Sequence, residues 1–557
     1  MPSPAKRRGA VAAVAALTLL VAIAATSWVL AGRPVTATPL LPNSYSPPSH
    51  LARYDGASVV ISPSQLRSVV NDDQRVHHAL SVAVHHHGPF LASPATGRHD
   101  PMTLVVTPRA RPYTLETVMA RVPSAFERPG SGTVLLKYPM LLAPGSALVV
   151  DSKTVTTLQL SSDPGSYAAI TAVSARLDLR GHPGHPLLVT SYDPHLRGPD
   201  LRESDGRAYV QNRGGTLTVR AATLSYLGFG IGRSSGVAWL GSGTSKARGG
   251  AAWSTFSHNH FGGYSFAAES LAVTHSAFLD NTVYGFDPHD GTSHSVISDS
   301  VAARNGRHGF IFSRGCHDNV LRHDEAYDNG VAGFVIDDGK VASDGNPRHA
   351  VAVPSDRNRL VDVLAHDNGT VGVIIEGGTG NSVESSTIDN NRYGIWVKNA
   401  TNSTLLIGDT VRRSRLTGIR LFAGTRSTDI SNGLIAGGMI GITSDSATGT
   451  RLKEVRVTDA VRTGLRIAGP HGGLVLTAVS LSGIGRRPVD VRRAALPAPT
   501  LTDVETRGWR VTHATPTPLH YVSKHANLIA WVPIVVLPPL FWLPSRRRRP
   551  RPNEVGA

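Results

Sequence analysis

The chain has 557 residues, a formal charge of +16 and 41% hydrophobic residues, enough for a packed core, which excludes wholesale disorder. A single cysteine, Cys316, excludes a disulfide scaffold. Glycine, at 56 residues or about 10%, exceeds the usual ~7%, while lysine and glutamate are scarce, which argues against a mostly helical protein.

Lys6, Arg7 and Arg8 precede an uncharged run, residues 10–31, rich in Ala, Val and Leu. Its 22 residues are long enough to cross a bilayer as a helix, and Val29-Leu30-Ala31 fits a signal-peptide cleavage pattern equally well. Either outcome exports the body of the chain. Residues 33–129 open rich in Pro, His and Ser and read as a linker followed by a small module or cap. His77, His78 and His85 to His87 read as part of that polar run rather than as a metal set.

From residue 250 onward short blocks recur: Asn259 to Gly263, Asn281 to Gly285, Asn305 to Gly309, Asn329 to Gly333, Asn368 to Gly372 and Asn390 to Gly394. Each is Asn, three residues, then Gly, and the glycines continue at Gly418, Gly441 and Gly464. Successive glycines are 22 to 24 residues apart except for one step of 39, which predicts an insertion at about 339–356. After each glycine, apolar residues alternate with period two: Phe310 and Phe312, Phe334 and Ile336, Ile395 and Val397. Strand periodicity with no room for a helix between strands rejects a leucine-rich repeat. It predicts an all-β protein, a right-handed parallel β-helix solenoid. The asparagines should stack as an internal ladder, and the glycines should serve tight turns.

Residues 130–250 carry the same texture less regularly, so the solenoid is expected over 130–492. Residues 493–525, with Ala-Leu-Pro-Ala-Pro and Thr-Pro-Thr-Pro, read as a stalk. A second uncharged run, 526–545, is followed by Arg546 to Arg549 and Arg551, which the positive-inside rule puts in the cytoplasm as the tail 546–557. The expectation is therefore membrane segments at both termini and an extracytoplasmic body at the cell membrane. The two tails carry a net three and four of the positive charges, leaving nine for the body. A basic exported body suits an anionic polysaccharide, and no nucleic-acid partner is expected there.

One coil breaks the repeat chemically. Tyr284, Asp287 and His289 should point outward from one strand, with Phe286 and Pro288 inward. Asp290 comes next, and the following coil reads His308 to Arg314. Coils lie about 4.8 Å apart, so a phenol, an imidazole, two carboxylates and a guanidinium converge. Asp337, Asp338, Glu376 and Lys398 fall near the same column in later coils. We read Asp290, His308, Asp337, Glu376 and Lys398 as substrate contacts. This set suits a polyuronate. His289 would take the C5 proton, Asp287 or Asp290 would orient it, Arg314 would neutralise the sugar carboxylate, and Tyr284 would act at the opposite ring face. Reprotonation gives an epimer, and loss of the 4-linked sugar gives a lyase product. A non-catalytic glycan-binding surface protein is the third reading.

The run Tyr284-Gly-Phe-Asp-Pro-His-Asp290 resembles the signature of the mannuronan C5-epimerases, right-handed parallel β-helix isomerases acting on alginate. His308 to Arg314 resembles the next coil of that family, and Ser225 to Phe229, Ser235-Gly-Val and Phe261 to Glu269 resemble the preceding ones. About residues 180–400 resemble the periplasmic-type enzymes. The resemblance implies that His289 is the base and Arg314 the carboxylate-neutralising cation, with Tyr284 and Asp287 also in the active site.

Neither a cofactor nor a metal is expected. No calcium-binding nonapeptide array is present, Gly232-Arg-Ser-Ser-Gly236 lacks the strand-to-helix context of a hydrolase elbow, and Cys316 reads as a small packed residue.

Overall fold

The period of about two dozen residues folds into coils of three short strands, each pairing in parallel with its equivalent one coil away. The computed structural model describes residues 62–94, 101–230, 232–242, 244–341, 351–492 and 498–512, and those up to Val511 fall in one compact unit. The runs 10–31 and 526–545, the tail 546–557 and most of the stalk lie outside the described residues. Among the described residues no helix is long and apolar enough to cross a membrane.

One strand of each coil joins a 16-stranded sheet that is parallel except at its first pair. The other two strands build two further stacks, which merge in the long strand Val475–Gly485. Inward positions close a single core. Phe256, Phe278 and Phe286 stack through its middle, with centroids 5.0 and 5.2 Å apart. Aliphatic ladders such as Val373, Ile395, Ile419 and Ile442 continue it, all at most 1% exposed.

The asparagine ladder is present, but its rung in the last block is Asn391 rather than the expected Asn390, whose side chain donates to Asp367 instead. Asn281, Asn305, Asn329 and Asn368 each donate a side-chain N–H to the amide oxygen of the next asparagine, ending on Asn391, at 2.8, 2.9, 3.0 and 3.2 Å. The same oxygens accept the backbone N–H of the preceding asparagine, so each amide is saturated in the dry interior. Asn319, Asn358 and Asn381 form a second ladder at another corner.

The recurrent glycines serve a different purpose from the expected tight turn. A Cβ on Gly285 would lie 2.5 Å from the Gly309 oxygen and 2.9 Å from Asn305 Nδ2, and Gly309 meets Gly333 and Asn329 likewise. Gly285 and Gly309 are absent from the left-handed region, so close approach of coil and ladder excludes a side chain there.

The solenoid also starts and ends beyond the expected limits. Phe90–Ala92 and Thr103–Val106 already belong to the large sheet, upstream of 130. Thr500–Glu505 and Trp509–Val511 pair with Val475–Gly485, within the segment read as stalk. Residues 63–83, read as linker and cap, are a helix with a Ser62/Gln65 capping box. Its Val76, Ala79 and Ala83 pack against Val105, Leu141 and Ala143, outward residues of the first strands of the large sheet. The 39-residue step is one coil plus an antiparallel pair, Lys340–Val341 with Val351–Ala352.

Replacing Asn329 by Ala would strip partners from Asn305, Ala302 and Asn368 at once. Asn329→Ala should cost about 2–4 kcal/mol in denaturant unfolding, whereas the same change at an exposed asparagine such as Asn71 should cost under about 1.

Candidate active site

The chemistry gathers on the outward face of the large sheet. Strand Tyr284–His289 lies between Phe261–Phe266 and His308–Ser313. Phe286 faces the core at 1% exposure. Asp287 and His289 take the opposite face, as alternation requires. Asp290 and Arg314 occupy the same corner of successive coils, both with left-handed φ (45° and 48°). The Asp290 N–H donates to the Ser313 carbonyl at 3.1 Å and the Arg314 N–H to the Asp337 carbonyl at 3.1 Å, which fixes their stacking.

Asp290 is the hinge of the arrangement. Its Oδ2 lies 2.7 Å from His289 Nδ1 and accepts from Arg314 Nη2 at 2.5 Å. With Nδ1–H donated to that carboxylate, Nε2 is the basic nitrogen of the ring. Of the two orienting carboxylates considered, Asp290 makes the bond and Asp287 does not. Arg314 passes over Gly339, where a Cβ would sit 2.0 Å from Arg314 Cγ. Its Nε is buried without a protein partner.

Asp287 is 2% exposed, and its Oδ1 also lacks a partner. Burial raises its pKa to about 7, helped by Asp337 and Asp290 and opposed by His289 and Arg314. For His289, burial disfavours the charged ring, but Asp287 and Asp290 outweigh it and raise the pKa above the ordinary histidine value. Asp290 moves downward: burial opposes its charge, and the bonds and charges of His289 and Arg314 prevail.

Tyr284 begins the same strand. Its ring stacks on His308, 5.4 Å between centroids and 6° between planes, and packs on Phe261 at 4.9 Å. His308 is only 6% exposed, and burial with nearby Arg307 and Lys398 drives its pKa down to about 3, so it is a neutral support beneath the tyrosine. A second phenol, beside His289, is not apparent from the alternation pattern. Tyr264 pairs in register with Asp287, and its ring lies 5.7 Å from the imidazole. Burial, Asp287 and Asp290 push its pKa well up. An extra residue in Phe261–Phe266 relative to Gly236–Leu240 re-aims it, with Gly262-Gly263 as the only sequence signal.

Asp337, Asp338 and Glu376 bring carboxylate oxygens within 4.8 Å of one another along the coil edge after Arg314. Glu376 is already paired with Lys398, its register neighbour. Asp337 is near enough to act on the Asp287 carboxyl, and Glu376 with Lys398 follows in the next two coils. Cys316 is buried, with its thiol donated to the Ser313 carbonyl at 3.1 Å and its pKa raised by burial.

Fold and site together define a parallel β-helix carrying an imidazole, carboxylate and guanidinium centre on one sheet. In sequence it is similar to the mannuronan C5-epimerases. That of Pseudomonas putida is 26% identical over 291 residues, covering 49% of this chain and 51% of the relative. That of Pseudomonas fluorescens is 27% identical over 228 residues, covering 39% and 41%. The chain therefore spans about half the length of the curated relatives it matches. The crystal structure of the periplasmic alginate epimerase AlgG shares the fold, with a TM-score of 0.52 at 16% identity over 73% of this chain and 85% of that one. A family model described as periplasmic copper-binding protein (NosD) matches residues 340–476, the coils beyond Arg314.

Asp287 links the site to stability. Its proton is held more tightly in the folded chain than in the unfolded one. The stabilisation is full below the ordinary carboxylate range and is lost as pH rises through about 7. Asp287→Asn should therefore gain about 1–3 kcal/mol near pH 8 and nothing near pH 4, read by denaturant unfolding at both.

Proposed function

We propose that the protein epimerises C5 of uronate residues within a polyuronate, of the mannuronate-to-guluronate type. The observation that carries this reading is Asp290 bonded to both His289 and Arg314, beside a buried Asp287 and an Arg314 Nε with no protein partner. An uronate C5–H is acidified only when its carboxylate can accept the electron pair. Arg314, with donors to spare, meets that carboxylate. Asp287, protonated below about pH 7, can donate a second hydrogen bond to it. His289 Nε2 removes the proton, and the pair moves into the carboxylate as an enolate-like dianion. Asp290 stabilises the imidazolium that forms. Delivery of a proton from the opposite ring face by Tyr284 completes inversion. Expulsion of the 4-linked sugar instead would make the product a lyase's. Tyr264 packs on the imidazole and limits its rotation.

Asp337, Glu376 and Lys398 serve in this reading as the rim that holds the neighbouring sugar. His308 acts through Tyr284. The similarity to mannuronan C5-epimerases supports the reaction type and the substrate class.

The chain should incorporate deuterium at C5 of polymannuronate in deuterated water, with guluronate signals growing in the NMR spectrum. His289→Ala should lose at least about 10³-fold in rate with its unfolding transition retained, since the ring faces outward. No exchange on any uronan tried would overturn the reading, and unsaturated ends detected by ultraviolet absorbance would reassign it to a lyase.

The finer topology belongs to the same proposal: the body lies outside the cytoplasm, tethered through 10–31 and 526–545, both beyond the described residues. Protease added to intact cells should release a soluble body, and full protection of the body would refute the tether.

A further inference from the structure

The outward face of the large sheet is asymmetric about His289. On the N-terminal side the helix Pro63–Ala83 lies on it. Val76, Ala79 and Ala83 cover Val105, Leu141 and Ala143, and Asp73 pairs with both Arg213 and Arg233. Only Gly236–Leu240 and Phe261–Phe266 separate the covered strand Val210–Arg213 from Tyr284–His289. A chain crossing the sheet therefore has about two coils of room on that side, and each coil advances about 4.8 Å, close to one pyranose along an extended 1,4-linked polymer.

On the other side the sheet continues for eight strands, and among the described residues no helix packs on them. There the outward column after Ile311 runs through Val335 and Ile374 to Trp396 and Arg420. Ile311, Val335 and Ile374 form an apolar floor. Trp396 stands four coils from Asp287, about 19 Å away. Its ring packs on Tyr393 at 4.8 Å and Phe422 at 5.5 Å, which turn the indole nitrogen inward and leave part of the ring face exposed. Cations surround it. Arg420 lies 4.2 Å over the Phe422 ring, held by Asp445 at 2.9 Å, and exposed Arg392 lies 5.8 Å over Tyr393.

We propose that Trp396, with Tyr393, Phe422 and the Arg392 and Arg420 guanidinium groups, is a distal subsite for a uronate residue of the polymer being modified at His289. The apolar C–H face of a pyranose stacks on the exposed part of the indole, and the carboxylate meets Arg392. The subsite rests on the polyuronate reading and on the continuity of one outward column. It gives the substrate a direction: most of its length lies toward the C-terminal coils, because the helix closes the other end.

The test is binding of mannuronate oligomers to the full chain carrying His289→Ala, which separates affinity from turnover. An octamer, long enough to reach Trp396, should bind more tightly than a trimer. Trp396→Ala should weaken the octamer about tenfold and abolish the difference in affinity between the two, while Trp396→Phe, keeping a ring, should retain most of the affinity. Circular dichroism melts establish that both variants fold. Octamer binding unaffected by Trp396→Ala overturns the subsite and leaves the polyuronate reading standing. Absence of binding by either oligomer overturns both.

Discussion

A side-chain amide repeated once per coil sets the spacing on which everything else depends. The Asn281 to Asn391 ladder joins neighbouring coils through paired bonds in a dry interior, where an unmatched amide is expensive. The inner wall must then come close enough to meet it, and the glycines at 285 and 309 allow that approach by carrying no Cβ. Ladder and glycine thus act as one device. Together they hold adjacent outward faces in fixed register, which turns a strand and the corner of the next coil into a site.

Within that frame the centre is a balance between burial and charge. Burial alone would neutralise both His289 and Asp287. Asp287 and Asp290 keep the imidazole basic, and His289 together with Arg314 keeps Asp290 charged. The three groups sit on a corner and a strand end, where left-handed backbone at Asp290 and Arg314 lets two consecutive coils aim long side chains at one point. Asp287 lacks such a partner and remains the poorly solvated member, poised to change protonation near neutrality.

Much of this was legible in the residues. The asparagine and glycine spacing defined the coil, and period-two alternation after each glycine separated core from surface. Phe286 inward and His289 outward follow from it directly. What escaped has physical causes. Tyr264 reaches His289 through a one-residue bulge, which a uniform alternation rule cannot contain. The second ladder, Asn319 to Asn381, lies at another corner, outside the Asn-x-x-x-Gly blocks that marked the first. The first strands are short and flanked by proline, so their period fades just where the helix 63–83 covers them. The glycines were placed correctly but for the wrong reason, since sequence records a missing side chain and not whether backbone angle or a neighbour forbids it.

The long step of 39 residues carries a consequence of its own. Asn319 joins Asn358 and Asn329 joins Asn368 across it, so the stack closes as if nothing had been inserted. The hairpin strands 340–341 and 351–352 leave the coil next to Arg314, with Gly315 donating its N–H to the Val353 carbonyl at 3.1 Å. Scaffold and rim are therefore separable parts. Descendants of this chain can lengthen, shorten or replace that hairpin, and so reshape the surface beside Arg314, without renegotiating a single rung of the core.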